Sequence, residues 1–310
     1  MAEISYSTVM ADDGRKIWRD GELIRYEAAT IHVLSHAAHR GSEVFDVLRI
    51  ERTSRGTCAV GLREHVARFM TSMDLMGMKP EASIADLEAA VSEVVSANEG
   101  TVTVKLVGSW TDEANGTLPL TYRPTLFVAP VVGDHINAEK LPLDPIRVQT
   151  AAGPKIPRDV LPPGLKVAAS YVPGIRHRIR ASQEGFDEIL FTSSTGDLAE
   201  STSLSCFVGH GSKLVVPPLD GVLDSITRRM LLEIANEANI TVEVRPVAWD
   251  EVCAADELFL SSTNNIVRPI AALDDKHFDA PGAISTRLSE LAEQVLEDNH
   301  HLSRRWLTPI

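Results

Sequence analysis

The sequence predicts a mixed protein of the α+β class that forms one large domain or two domains of medium size. Its 310 residues, of which 44% are hydrophobic, can bury a core of that extent. Short runs of alternating polarity, separated by turn residues, indicate strands over residues 15–50 and again after residue 100. Between them, apolar side chains recur at the spacing of amphipathic helices.

The N-terminal part is expected to begin with four short strands. The dipeptide Asp20–Gly21 is a typical turn between the first two. The predicted strands are Lys16–Arg19, Leu23–Tyr26, Ile31–Leu34 and Val44–Ile50. Two further strand-like runs, Thr101–Val107 and Thr125–Val132, would complete the sheet of this part.

Two helices are expected between these strands. The first begins near Leu62 and carries an apolar face, with Arg68 lying off that face. The apolar positions, which we interpret as core rather than as a cofactor contact, are Val66, Phe69, Met70, Met73 and Met76. The second helix follows Ser83, an N-cap candidate with Asp86 three positions on. Its inward residues are expected to be Ile84, Leu87, Val91, Val94 and Val95.

The second half of the chain opens on a proline-rich stretch. Six of the seventeen prolines lie between residues 142 and 163, so no long helix fits there. We expect a strand, Ile146–Thr150, and then a stiff loop that either only connects elements or forms the wall of a site. The later predicted strands are Glu188–Thr192, Leu198–Ala199, Cys206–Gly209, Lys213–Val216 and Glu257–Ser261. Helices are expected after a cap at Asp224 or Ser225 and over Ile284–Leu296.

Composition limits the kinds of partner. The 30 basic and 43 acidic residues give a net charge of -13, which disfavours nucleic acid or an anionic membrane as a partner. The three cysteines, Cys58, Cys206 and Cys253, lack the spacing of a disulfide framework or a zinc site, so no metal is expected. Residues 1–14 lack a signal pattern and no apolar run reaches about 18 residues, which favours a cytoplasmic location.

Lys166 and Glu200 are the strongest candidates for chemistry. Lys166 sits among small and apolar residues, and Glu200 follows a predicted hairpin, so adjacent strands are expected to bring the amine and the carboxylate together. A buried lysine amine with a lowered pKa can form a Schiff base with a carbonyl. Pyridoxal phosphate also needs a carboxylate at its ring nitrogen. Taken alone, both residues have an ordinary alternative, as solvated surface groups.

A cofactor phosphate would need a helix N-terminus, hydroxyl donors and an arginine. The chain offers a helix start at Ile226–Thr227, a hydroxyl at Thr263 after a predicted strand, and Arg68 on the first helix. Each feature again has an ordinary alternative, because helix caps, strand-end threonines and solvated arginines are common in proteins.

In sequence order, these features resemble the class IV, fold-type IV aminotransferases, and among them the branched-chain aminotransferase group. The segments that carry the resemblance are Trp18, Asp20–Glu22, His32–His36, Phe45–Arg49, His65–Arg68, Lys166–Tyr171, Gly185–Glu188, Glu200, Leu223–Arg228 and Ser262–Thr263. The resemblance implies a small N-terminal α/β domain over residues 1–129, a connection at 130–141, and a larger C-terminal domain over 142–310 with a barrel-like β core. It also implies a site completed by a neighbouring subunit, and therefore at least a homodimer.

The resemblance further implies pyridoxal phosphate as cofactor and a role for each matching residue. Lys166 would form the Schiff base and move the proton, Glu200 would pair with the ring nitrogen, and Tyr171 would hydrogen-bond the ring oxygen. The residues expected to hold the phosphate are Arg68, Ile226, Thr227 and Thr263.

The chain departs from the family pattern on the substrate side. Arg40 stands in place of a tyrosine and Lys105 in place of an arginine. Ser203 and Ser205 stand in place of a glycine and an asparagine. The residues expected to face the substrate are Arg40, Phe45, Arg49, Lys105, Ser203 and Asn264. Arg40 and Lys105, if they face the site rather than solvent, favour a substrate with an extra acidic or polar group.

We therefore expect a transaminase that moves an amino group between an amino acid and a 2-oxo acid. Two alternatives are kept: a lyase of the aminodeoxychorismate lyase kind, which shares the fold, and a pseudoenzyme that only binds the cofactor. Tyr171 after the lysine favours the transaminase over the lyase. The presence of both Lys166 and Glu200 argues against the pseudoenzyme.

Overall fold

The computed structural model describes residues 14–113, 116–133 and 144–310. Its first elements are β1 (Lys16–Arg19), β2 (Glu22–Arg25), α1 (His36–Arg40), β3 (Val44–Thr53), β4 (Gly56–Val60), α2 (Leu62–Met76), α3 (Ile84–Ala97), β5 (Thr101–Ser109) and β6 (Thr125–Val132). The later elements are β7 (Ile146–Pro154), α4 (Val172–Gln183), β8 (Glu188–Thr192), β9 (Leu198–Ser201), β10 (Ser205–His210), β11 (Lys213–Val216), α5 (Ile226–Glu237), β12 (Thr241–Val244), α6 (Trp249–Cys253), β13 (Glu257–Ser261), β14 (Arg268–Leu273), β15 (Lys276–His277), α7 (Ala283–Leu296), α8 (Ser303–Trp306) and β16 (Leu307–Pro309).

The strands form two sheets. The first has seven strands in the order β16-β4-β3-β5-β6-β1-β2, so β16 returns from the far end of the chain to the edge of this sheet. In the second sheet, β10, β13, β14, β7, β8 and β9 pair in turn, and β9 pairs back with β10 through Glu200 and Ser205. These strands therefore close into a barrel, and β11 and β12 extend from β10. The predicted mixed fold with a barrel-like β core is confirmed.

Each strand of the barrel contributes apolar side chains to one cluster. On β7, β10 and β13 the members occupy alternate positions, as expected for strands with one buried face. Its barrel-strand members are Ile146, Val148, Leu190, Leu198, Cys206, Val208, Leu258, Leu260, Ile270 and Leu273. A separate cluster joins β10, β11 and β13 to α5 and α7 on the outside of the barrel.

Helices α2 and α3 pack on the first sheet as their apolar patterns predict. Val66, Phe69 and Met73 are fully buried, which supports the interpretation of the methionine-rich face as core. The predicted capping box is present, with Ser83 and Asp86 each bonded to the other's backbone N–H. Ile84 was expected inward and is 38% exposed, because the capping box at the helix start is itself exposed.

The predicted strand at Ile31–Leu34 is wrong. These residues form a turn in which Ser35 N–H donates to His32 O at 2.9 Å, and the Ser35 hydroxyl then caps α1 by accepting from Ala38 N–H. The apolar side chains of the segment are exposed, Val33 by 71%, so their alternation does not reflect a buried strand face. The N-cap signal of Ser35 was the competing and stronger local preference.

Part of the predicted organisation lies outside the described residues. The connection expected at 130–141 falls mostly on residues 134–143, and the N-terminal segment lacking a signal pattern falls almost wholly on residues 1–13. The domain limits at 129 and 142 therefore stay predictions. Within the described parts of the chain, no helix combines the length and the apolar character that crossing a membrane requires.

Candidate active site

Lys166 lies on an extended segment that docks on the start of β3. Phe45 N–H donates to Lys166 O at 3.1 Å, and Val167 forms an isolated bridge with Val44. The prediction that adjacent strands carry both the lysine and the glutamate is wrong for the lysine. Pro162 and Pro163, which lack a backbone donor, immediately precede the segment and prevent a regular strand there.

The amine of Lys166 is enclosed by aromatic side chains. Its Nζ donates to the Tyr171 hydroxyl at 2.6 Å and lies 4.7 Å from the centre of the Phe45 ring. Burial and the nearby Arg68 cation lower the pKa of Lys166 to about 8. Burial raises the pKa of Tyr171 to about 12. Lys166 is therefore the member of this pair that loses its proton first as the pH rises.

Glu200 lies within β9 rather than after the hairpin, one residue before the strand ends. Its two carboxylate oxygens have separate partners. Oε1 accepts from Lys155 Nζ at 3.1 Å, and Oε2 accepts from Leu223 N–H at 3.3 Å. Glu200 lines the same cavity as Lys166 and Tyr171. The structure thus brings the predicted amine, phenol and carboxylate together.

Arg68 is not a solvated helix residue. Its Nε and Nη2 donate to the two carboxylate oxygens of Asp46, each at 2.8 Å, and Nη1 donates to Asp224 O at 2.9 Å. His65 also contacts Asp46, with Nδ1 2.7 Å from Oδ1. Although burial opposes its charge, Arg68 and His65 hold the pKa of Asp46 well below its usual range.

The start of α5 lies next to this arginine. Ser225, rather than Asp224, is the N-cap, since its side chain accepts from Arg228 N–H. The first turn of a helix leaves backbone N–H groups without intrahelical acceptors, which suits an anion. The residues around the small cavity at this point include Ile226, Thr227, Thr263, His65 and Arg49.

Thr263 connects the barrel to the first sheet. It follows β13, and its hydroxyl donates to Val47 O on β3 at 3.2 Å. The hydroxyl oxygen keeps lone pairs, and rotation of its O–H allows it to donate to an anion instead. The four predicted phosphate contacts, Arg68, Ile226, Thr227 and Thr263, therefore converge from α2, α5 and the end of β13.

The register of β3 and β5 locates Lys105. Val47 lies directly opposite Lys105, and Phe45 lies opposite Val107. Directly opposite residues share one face of a sheet, and residues two apart on a strand also share it. Lys105 is therefore on the face that carries Phe45, whose ring contacts the Lys166 amine. Asp46 points to the other, buried face.

Arg49 and Asn264 lie farther along the same face. Arg49 is opposite Thr103 and forms an ion pair with Glu51. The Thr103 hydroxyl donates to Asn264 Oδ1 at 3.4 Å. Arg49 and Asn264, both predicted to face the substrate, thus each lie next to Thr103 of β5.

Arg40 and Ser203, also predicted to face the substrate, are not among the residues that line the Lys166 cavity. Arg40 is exposed at the end of α1, where Nη1 donates to His39 O at 3.5 Å. The next residue, Gly41, has φ 64° and packs on Ala169, where a Cβ atom would come within 3.3 Å of the Ala169 Cβ. Ser203 is exposed at the turn between β9 and β10, in a groove beside α4. Their contact with substrate stays a prediction.

Two residues of the site were missed by sequence reasoning. Asp46 is completely buried and orients Arg68, although its acidic position in the Phe45–Arg49 segment was recognised without a role. Lys155 contacts Glu200 from the proline-rich stretch, where the only sequence signal was that this stretch could form a wall. A carboxylate in an otherwise apolar strand pattern is the signal that could have found Asp46.

The donor set fits pyridoxal phosphate. An amine with a lowered pKa, a carboxylate and a phenol line one cavity, and a helix N-terminus with an arginine and two threonines lies beside it. Among residues 14–113, 116–133 and 144–310, no group of three or more His, Cys, Asp or Glu side chains could hold a metal ion.

The sequence matches the family described as amino-transferase class IV over residues 43–273, so the chain belongs to this family. Family and fold together indicate a pyridoxal-phosphate-dependent transferase. The branched-chain-amino-acid aminotransferase of Pseudomonas aeruginosa is 25% identical, with 96% of this chain and 98% of that protein aligned.

Solved structures of relatives carry the comparison further. The branched-chain amino acid aminotransferase from Thermobaculum terrenum in its PLP-form has a TM-score of 0.88 and 26% identity, covering 96% of this chain and 99% of that one. The branched-chain aminotransferase from Thermoproteus uzoniensis with norvaline also has a TM-score of 0.88, at 24% identity, and covers 95% of this chain and 99% of that one. The second likeness supports the fold. The relatives named here are branched-chain aminotransferases, which favours the transaminase over the lyase.

The lowered pKa of Lys166 predicts a pH-dependent stability effect. Below pH 8 the folded protein must bury an ammonium group, and this cost fades as the pH rises from about 8 toward the ordinary value of 10.5. Lys166→Met in the cofactor-free protein is expected to raise the free energy of unfolding by about 2 kcal/mol at pH 7. Urea unfolding at pH 7 and pH 10 measures the difference, which should shrink at pH 10.

The matched control is Lys213→Met, which removes an exposed lysine of β11. It should change the unfolding free energy by less than about 0.5 kcal/mol at either pH. A Lys166→Met protein no more stable than wild type at pH 7, or a difference that grows toward pH 10, would contradict the assigned pKa.

Proposed function

We propose that this chain binds pyridoxal 5'-phosphate at Lys166 and moves an amino group between an amino acid and a 2-oxo acid. The observation that carries the proposal is the Lys166 amine, 2.6 Å from the Tyr171 hydroxyl, with its pKa lowered to about 8. An amine that is partly neutral near pH 7 can react with an aldehyde, whereas one with an ordinary pKa is almost entirely protonated. The Glu200 carboxylate lines the same cavity.

When bound, the cofactor supplies an electron sink that stabilises negative charge at the substrate carbon. The residues of this chain supply position and charge. Glu200 lines the cavity with its carboxylate anchored by Leu223 N–H, and this anion would stabilise a proton on the ring nitrogen. Arg68 and the N-terminus of α5 would hold the phosphate with N–H donors, and Asp46 fixes the arginine's orientation.

The proton is carried by Lys166. Its Nζ can take up a proton and release it near neutral pH, because its pKa is about 8. Tyr171 keeps its own proton at that pH, because its pKa is about 12, and its hydroxyl accepts from the ammonium. The Phe45 and Tyr171 rings, 5.3 Å apart, enclose the amine and limit the access of water.

Replacement of the lysine tests the proposal. In Lys166→Ala, turnover between an amino acid and a 2-oxo acid should fall to background, because both the covalent anchor and the proton carrier are lost. Reduction of wild-type protein with borohydride, followed by peptide mapping, should find the cofactor on Lys166. The control Lys213→Ala should retain turnover within about twofold.

A Lys166→Ala protein with normal turnover would overturn the proposal. So would a cofactor that is trapped on a different lysine in the wild-type protein.

We further propose that the substrate carries an acidic or polar group beyond its α-carboxylate. Lys105 lies on the sheet face of Phe45, and its charge acts on Glu43, whose carbonyl accepts from Ala168 N–H beside Lys166. Arg40 immediately precedes Gly41, which packs on Ala169. If both cations face the bound substrate, they would favour an anionic or polar substituent over a plain aliphatic chain.

Arg40→Tyr tests this preference. Removing the guanidinium should lower kcat/KM for a glutamate-like donor relative to a leucine-like donor by about tenfold or more, since a charge-assisted contact is lost. The control Arg304→Tyr changes an exposed arginine of α8 and should leave the ratio unchanged. A ratio that stays within about twofold in Arg40→Tyr would exclude Arg40 from substrate selection.

We also propose that the protein is at least a homodimer. Helix α4 buries Gly174 and Ala181, while Val172, Ile175 and Ile179 are more than half exposed on its other face. These three residues recur at the spacing of one helix face, so they form a continuous apolar stripe. An apolar stripe of this kind favours a partner over water.

Sedimentation measures the assembly. Wild-type protein should sediment as a dimer or larger species of the 33.8 kDa chain, and Ile175→Glu/Ile179→Glu should shift it toward the monomer, because charges would be buried at the contact. Val244→Glu, at an exposed apolar residue of β12, is the control and should keep the wild-type size. A monomeric wild-type protein would refute the homodimer.

A further inference from the structure

Lys155 enters the candidate active site from the proline-rich stretch. It directly follows β7, whose last residue, Pro154, is paired with Thr192 of β8. Pro157 follows two residues later. Prolines fix the backbone φ angle, so few backbone conformations are open to the short segment that carries this lysine. The Lys155 side chain is therefore presented to the cavity from a stiff support.

The ammonium group of Lys155 donates two hydrogen bonds inside the cavity region. Nζ donates to Glu200 Oε1 at 3.1 Å and to Thr202 O at 2.9 Å. It also lies 5.1 Å from the centre of the Tyr171 ring. Its side chain is 15% exposed and that of Glu200 10%, so the ion pair is largely shielded from solvent. A shielded pair has a larger effect on neighbouring charges than an exposed one.

Lys155 and Lys166 share the same tyrosine. Lys166 Nζ lies 5.2 Å from the centre of the Tyr171 ring, and Lys155 Nζ lies 5.1 Å from it, so both amines act on the same small region. The charged and titratable groups that face Lys166 come from β3, α2, β9, the proline-rich stretch and the turn before α4. They are Asp46, His65, Arg68, Glu200, Lys155 and Tyr171.

Four of these groups form two neutralised pairs around the Lys166 amine. Arg68 pairs with Asp46, and Lys155 pairs with Glu200. Glu200 without Lys155 would be an uncompensated anion in the cavity, and its Oε1 atom would lose its only described partner. An unpaired carboxylate would also be free to rotate away from Leu223.

We propose that Lys155 is a positioning residue that holds the Glu200 carboxylate in place and, by neutralising it, sets the charge balance around Lys166. The part of the proposal that concerns the cofactor ring rests on the proposed function, because it requires that Glu200 faces the ring nitrogen. The part that concerns Lys166 does not require the cofactor. It can therefore be tested on the cofactor-free protein.

The measurement is the pH dependence of Lys166 labelling. Brief treatment of cofactor-free protein with an amine-acylating reagent, followed by peptide mass spectrometry, gives the midpoint at which Lys166 becomes neutral, which is expected near pH 8 in wild type. In Lys155→Met, a cation is lost and an anion is unmasked, and both changes favour the protonated amine. The midpoint should therefore rise by about one pH unit or more, because charges within about 10 Å interact by that amount at an effective dielectric constant near 20.

Three further variants separate charge from structure. Lys155→Arg keeps the cation and should stay within about 0.3 pH units of wild type. Glu200→Gln removes the anion and should lower the midpoint. The double variant Lys155→Met/Glu200→Gln removes both charges and should return close to wild type. Thermal unfolding of each variant is measured in parallel, since a merely structural role would lower stability without moving the midpoint.

A Lys155→Met midpoint within about 0.3 pH units of wild type would overturn the proposal. If Lys155→Met does not fold, the test compares the double variant Lys155→Met/Glu200→Gln with the single variant Glu200→Gln, because neither contains the unmasked carboxylate. The double variant must then have a midpoint about one pH unit above Glu200→Gln, and equal midpoints would overturn the proposal. Failure of the proposed function is a separate result, because it would appear as normal turnover in Lys166→Ala.

Discussion

The buried ion pair between Asp46 and Arg68 joins the parts of the molecule that make the site. Asp46 is on β3, Arg68 is on α2, and the third donor of the arginine reaches Asp224 just before α5. A carboxylate with no solvent exposure is tolerated only when it is paired. The first sheet therefore requires the arginine for its own stability, and the same arginine faces the N-terminus of a helix packed on the barrel. Stability and the proposed anion binding therefore depend on one contact.

The charge state of Lys166 depends on two ion pairs beside it, Arg68 with Asp46 and Lys155 with Glu200. Asp46 and Glu200 are each matched by a cation from another element, which leaves Lys166 without a carboxylate of its own among the described residues. Lys166 instead donates a hydrogen bond to the Tyr171 hydroxyl, which stays protonated. An amine in that position loses its proton at a lower pH than an amine in water. The neutral, reactive form of the lysine is therefore favoured by the surrounding fold.

Much of the fold was predictable, because its elements carry strong local signals. The apolar period of α2, the capping box at Ser83 and the alternation of β5 and β6 each indicated the correct element. The pattern at Ile31–Leu34 failed because a local cap at Ser35 prevailed over a weak alternation. The chemistry of Lys166 and Glu200 was recognised from residue order along the chain and from their chemical types.

The contacts that tune the site were less predictable, because they join residues far apart in sequence. Lys155 and Glu200 meet only when β7 and β8 pair and β9 folds back, and nothing around Lys155 distinguishes it from a surface lysine in a loop.

The return of β16 to the first sheet has a consequence for the order of folding. Leu307 pairs with Val60, so this sheet edge joins residues about 250 positions apart. Trp306, immediately before it, is fully buried and lines the small cavity at the start of α5 together with Thr227. A nascent chain whose residues 306–309 are still inside the ribosome can form most of both sheets, yet it lacks one wall of that cavity. That wall, at the site proposed for the cofactor phosphate, is therefore completed only after this long-range strand pairing has formed, however much of the barrel has already folded.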